Sequence, residues 1–137
     1  MQLNVHNFSS VADAINFASN QIDQAAGDAR AKYLTVAQGQ DATYTAKYQD
    51  ACAFRVASYL PTDGTGFPWV MQEAAGLGIS AQAAATNILT PGDVWNLTKG
   101  PQIEGLRIGG KAALQNLPDI PSVLKSAYST KTALSNA

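Results

Sequence analysis

Residues 9–36 read SSVADAINFASNQIDQAAGDARAKYLTV, and the fold follows from how the apolar positions fall within them. Val11, Ile15, Ala18, Ile22, Ala25, Ala29, Tyr33 and Val36 recur at steps of four and three, which is a heptad-like seam on one side of an α-helix. Ser9 or Ser10 supplies the N-cap, because a hydroxyl there can accept a bond from a first-turn amide that has no partner within the helix. No proline interrupts the run, although Gly27 costs about 1 kcal/mol relative to alanine in a helix interior. A glycine kept at that position implies a close backbone neighbour.

Downstream, Gln38-Gly39-Gln40-Asp41 breaks the pattern and Asp41 can cap a second helix running to about Tyr59. The short link implies a helical hairpin. Tyr44, Tyr48, Ala51, Cys52, Arg55 and Tyr59 share one side of the second helix, with Phe54 displaced from it, and this aromatic stripe is expected to fill the space left by the alanine-rich first helix. Pro61 to Pro68 reads as an exposed loop. A short helix from Trp69 to about Ala75 stops at Gly76 or Gly78, and Ser80 caps the next. Pro91-Gly92 should kink or break that helix before Val94-Trp95. Ile103, Leu106, Gly110, Ala113 and Leu117 mark an amphipathic helix of roughly four turns. Pro118 and Pro121 end it, and a further short helix can place Val123, Leu124, Ala127 and Leu134 on one side.

Upstream, residues 1–8 alternate briefly through Leu3, Val5 and Phe8, the one candidate strand, which would need a neighbouring edge to pair with. The expected fold is therefore all-α: a small helical bundle built on an N-terminal helical hairpin, with a short N-terminal β-arm or frayed terminus. The expected organisation is an arm (1–8), one helical domain (9–117) and a C-terminal tail or short helix (118–137), the two ends becoming ordered on neighbouring chains.

A chain of 137 residues can bury one core, but much of its 46% apolar share is alanine, which buries little area, so association with copies or partners would add what the core lacks. Nine Lys and Arg against ten Asp and Glu, spread along the chain, do not make a nucleic-acid surface. No stretch approaches the eighteen or so apolar residues of a membrane span, and the first residues lack the pattern of a signal peptide. Those features lead to the expectation of a protein kept in the cytoplasm until it assembles.

Catalysis has little to work with. His6 is the one histidine, and a terminal arm holds a base poorly. Cys52 reads as a small buried hydrophobe. The carboxylates form neither a calcium-loop spacing nor a His pair, so no metal or other cofactor is expected. Gly-Leu-Arg-Ile-Gly-Gly, with Gly105, Gly109 and Gly110, follows no strand and lacks the Lys-Ser/Thr of a phosphate loop; glycines on a closely packed helix face explain it better. Trp69 and Trp95 are either core residues or binding anchors. Arg30 and Arg107 have Glu73 and Glu104 as the natural partners for pairing across the bundle, or else lie solvated on the surface. An enzyme would have to use an unusual set such as Tyr44, Lys47 and Glu73.

Taken in order, Ile22-Asp23, Ala26-Gly27-Asp28-Ala29-Arg30, Tyr33, Gly39-Gln40, Thr43-Tyr44, Lys47, Phe67-Pro68, Glu73-Ala74, Gly78-Ile79-Ser80, Ile88, Trp95, Ile103-Glu104 and Arg107 resemble a helical family of tailed-bacteriophage proteins found in or beside tail-fibre and baseplate genes. The resemblance spans about residues 15–115 and departs at Pro91-Gly92 and after Leu117. It implies a non-enzymatic structural or adaptor subunit of the virion, forming a homo-oligomer in a symmetric assembly with other virion proteins. Candidate partner-binding residues are Leu3, Val5, Phe8, Trp69, Trp95, Val123, Leu124 and Tyr128, and candidate structural residues are Arg30, Tyr44, Glu73, Glu104 and Arg107. A tail-fibre assembly chaperone and a helical regulator of a host protein are the competing expectations.

Overall fold

The computed structural model describes residues 8–34 and 40–137, with side chains from Ala42 onward in the second stretch. Among them the chain is all-α, with helices α1 (Val11–Ala31), α2 (Gln40–Val56), α3 (Pro68–Leu77), α4 (Ala81–Asp93), α5 (Gly100–Leu114) and α6 (Ile120–Ser135). The arm expected over residues 1–8 lies outside the described residues up to Asn7, as do Val36 and His6. No described helix is long and apolar enough to cross a membrane.

The chain divides into two compact units, one formed by the N-terminal part through Leu34 with Lys99–Ala137, the other by the chain between them. In the first unit α1, α5 and α6 pack on one another. Ser10 caps α1 by accepting from the Asp13 amide at 3.1 Å, and Asp119 caps α6 in the same way through Ser122 at 2.8 Å. The core is Ala14, Ala18, Ile22, Ala26 and Ala29 from α1 with Ile103, Leu114, Val123, Ala127 and Leu134. The segment expected as a tail or short helix is a sixteen-residue helix whose Val123 and Leu134 are buried within their own chain. The alanine face of α1 meets α5 and α6. At Gly110 the backbone of α5 comes so close to α6 that a Cβ there would stand 2.3 Å from Thr130 Cγ2. Gly105 and Gly109 face open space, as does Gly27, so the close neighbour expected at Gly27 is absent from the described residues.

In the second unit α2 packs on α3 and α4. Phe54, which the helical pattern places off the aromatic stripe, is the largest fully buried side chain and the centre of this core, with Phe67 at 4.9 Å and Tyr59 edge-on at 5.5 Å between ring centroids. Tyr44 faces solvent instead. The reason is that α2 turns its Ala51 and Phe54 side towards α3 and α4, and α2 ends at Val56, after which Ser58 and Tyr59 adopt left-handed backbone. Tyr59 therefore returns to Phe54 from outside the helix. Gly78 ends α3 with φ +67 and Ser80 caps α4 through the Ala83 amide at 3.1 Å, both as the residue types require. The N-terminus of α3 has no cap of its own; Asp50 of α2 accepts from the Val70 amide at 2.9 Å and supplies one.

Pro91 neither ends nor breaks its helix. The chain stays helical to Asp93 and then widens into a π-helical segment, Val94–Lys99, before α5. Pro101 lacks a donor and would crowd the carbonyl four residues back, that of Leu97, which lies in the widened segment. The Asn96 side-chain amide donates to the Gly92 carbonyl at 2.9 Å, replacing part of what the ladder loses.

Candidate functional site

Among the described residues, each unit carries its own cluster of ion pairs and hydrogen bonds. In the first unit Asp23 of α1 accepts from Lys111 at 2.9 Å and from Arg107 at 3.0 Å, Arg107 also donates to Glu104 at 2.7 Å, and Glu104 accepts from Arg30 at 2.8 Å. The Lys111 ammonium, with Arg107 behind it, holds the Asp23 carboxyl below its ordinary range. Arg107 first and then Arg30 do the same for Glu104. Glu104 thus joins both arginines singled out in the sequence, while Glu73 serves the other unit, pairing with Lys47 at 2.5 Å. Asp23 and Lys111 lie 88 residues apart and carry no local signal of their pairing.

In the second unit Asp93 accepts from Tyr48 at 2.8 Å and from Arg55 at 2.9 Å. Arg55 lowers the Asp93 carboxyl, and burial together with Asp93 raises the Tyr48 phenol. The Tyr48 ring lies flat enough on α4 that a Cβ at Gly92 would stand 2.4 Å from its Cδ2. Cys52 is half-buried beside this cluster, with its sulfur 3.9 Å from Arg55 Nη2. The Arg55–Asp93 pair and the Tyr48–Asp93 bond hold α2 on α4. Among the described residues no three His, Cys, Asp or Glu side chains come together as metal ligands.

A groove of about 750 Å³ lies between α1 and α6. Lys131 Nζ reaches Gln21 Oε1 at 3.1 Å and Tyr33 Oη donates to the Ala137 carbonyl at 3.1 Å, so the two helices run in the same direction. Phe17 from one wall and Leu124 and Tyr128 from the other give the groove its apolar surface, and Lys125 and Lys131 give it charge. Tyr128 is 73% exposed, far more than a ring of that size needs for its hydroxyl to reach water. Phe8, just before α1, lies 5.2 Å from the Phe17 ring.

The candidate contact residues named from the sequence are distributed unevenly. Leu124 and Tyr128 line the groove and Phe8 adjoins its Phe17 wall, whereas Val123, about 100° round α6 from Leu124, is buried in the core. Trp69 is exposed on α3, Trp95 is half-buried in the π segment, and Leu3 and Val5 lie outside the described residues. Phe17 was not singled out by the helical pattern, since it lies off the α1 seam; its place three residues after Ala14 and four before Gln21 is the only signal. Comparison with protein families, with curated proteins and with solved structures finds no match.

Proposed function

We propose that the chain is a structural adaptor subunit of a tailed-phage virion, in the tail, the baseplate or the tail-fibre attachment, acting by protein contacts and without catalysis. The observation that carries the contact role is the open α1–α6 face of the first unit, where Phe17, Leu124 and Tyr128 stay in reach of water although the helices beneath them are fully packed. Apolar side chains gathered in one groove mark an interaction site more strongly than the same residues scattered singly. The phage setting rests on the ordered resemblance of residues 15–115, and the packed helices would fix the spacing of the surfaces they carry.

The test is removal of the gene from the phage that encodes it, followed by electron microscopy of the particles. Particles lacking a tail, baseplate or fibre component, restored by the chain supplied in trans, are the expected result. Complete and infectious particles without it would overturn the adaptor role. Misfolded fibre chains in particles that never contain the protein would favour an assembly chaperone.

A further inference from the structure

We infer that the α1–α6 groove receives one acidic amphipathic helix from another protein, which lies along it as the fourth helix of a bundle. This rests on the contact role proposed above and names the partner's chemistry. Leu124, Tyr128, Lys131 and Ser135 follow one another at steps of four, three and four, forming a ridge on α6 that faces the groove. At a rise of about 1.5 Å per residue that ridge is roughly 16 Å long, the length of three helical turns. Three helices already pack around one core in this unit, and a fourth seated along α1 and α6 would complete a four-helix bundle.

Charge selects the occupant. Lys125 and Lys131 both line the groove, no carboxylate does, and α6 contains no Asp or Glu from end to end. Lys131 is held by Gln21, a neutral partner, and Lys125 makes no ion pair among the described residues. The two lysines are six residues apart on one helix, about 9 Å, so a complementary helix would carry carboxylates about two turns apart beside its apolar stripe. A second copy docking the same face would bring four lysines together without a carboxylate between them, which disfavours a self-complementary pair. An acyl chain carries a single carboxylate and could pair with one of the two ammonium groups at most.

A photocrosslinking p-benzoylphenylalanine placed at Tyr128 in the full-length chain, made during infection, tests this directly. The expected result is one dominant adduct, whose mass-spectrometric sequence is a helix-patterned segment of another protein with carboxylates six or seven residues apart. Its yield should fall at least tenfold in the Lys125→Glu, Lys131→Glu chain and hold in the Lys125→Arg, Lys131→Arg chain. Should the charge-reversed chain fail to fold, the salt dependence of the parent adduct decides: a several-fold loss between low and high ionic strength is expected, and none would overturn the charge argument. An adduct within the same chain, on a second copy, on an acyl chain or on a segment without acidic residues overturns the inference, as does no adduct. An acidic helix from a host protein would keep it and remove the virion reading, whereas a virion segment of the wrong chemistry would do the reverse.

Discussion

Gly110 of α5 and Thr130 of α6 mark the closest approach of those two helices, with a Cβ on the glycine falling 2.3 Å from Thr130 Cγ2 and 2.7 Å from its hydroxyl oxygen. The threonine is β-branched, and rotation of its side chain cannot clear both atoms from that point while its Cβ stays 3.0 Å away. The contact lets Ile103, Leu114, Val123 and Leu134 share one core, so it belongs to the packing of the first unit rather than to backbone flexibility.

Gly110→Ala should therefore destabilise the first unit by about 1–3 kcal/mol, the usual range for overpacking. Thr130→Ala in the same chain should recover part of the loss, because it removes the two nearest atoms. Amide exchange measured peptide by peptide across α5 and α6 reads both effects. Equal protection in the parent and Gly110→Ala chains would show that the helices separate at no cost.

At the centre of the second unit, Phe54→Ala removes the largest fully buried ring, with Phe67 and Tyr59 left around the space. The expected cost is about 3–5 kcal/mol. Denaturant unfolding followed by near-ultraviolet circular dichroism checks it, and a cost under about 1 kcal/mol would contradict this core.

Tyr48 and Gly92 give a second test within that unit. Tyr48→Phe keeps the ring on Gly92 and deletes the bond to Asp93, for an expected loss of about 0.5–1.5 kcal/mol. Gly92→Ala should do more damage, since its Cβ meets the ring itself at 2.4 Å. In an alkaline absorbance titration, one of the five tyrosines should ionise well above the usual phenol range, and that delayed component should vanish in Tyr48→Phe.

Acid should weaken both units in a defined direction. Lys111 and Arg107 lower Asp23, Arg107 and Arg30 lower Glu104, and Arg55 lowers Asp93, so each carboxylate contributes stability above its unfolded pKa, near 4, and loses it as pH falls through the lower folded value. Because the pairs are partly solvated, the effect per group is small and weakens with salt. Melting temperatures from pH 6 to pH 2 should decline in the parent chain and decline less in Asp23→Asn. A flat profile would mean that these charges do not couple to folding.

Helix positions and several of their ends were legible because they depend on neighbours in sequence, although α2 begins before the expected Asp41 cap and ends at Val56, short of Tyr59. Ser10 and Ser80 cap by their own hydroxyls, and Gly78 ends α3 because it can take a left-handed backbone. Which face each helix buries was less legible where alanine dominates: Ala14 and Ala26 are buried on α1, and Phe54 displaces the Tyr44 side of α2. Alanines on adjacent faces have nearly equal hydropathy, so the choice is made by the partner. Partners themselves were hidden for the same reason, and the Asp23–Lys111 pair, the Asp50 cap on Val70 and the Phe17 wall of the groove each join residues whose meeting no local spacing encodes. Where a kink or break is expected at Pro91-Gly92, the chain stays helical to Asp93 and then widens over Val94–Lys99, an adjustment that the proline alone does not encode.

Whether the chain is a fixed part of a particle decides the adaptor role most directly. Quantitative mass spectrometry of purified infectious virions, referenced to a tail protein of known copy number, measures that. A constant ratio matching the symmetry of a tail, baseplate or fibre joint is the predicted result. Its absence from mature particles, with the chain abundant in the infected-cell lysate, would contradict the account.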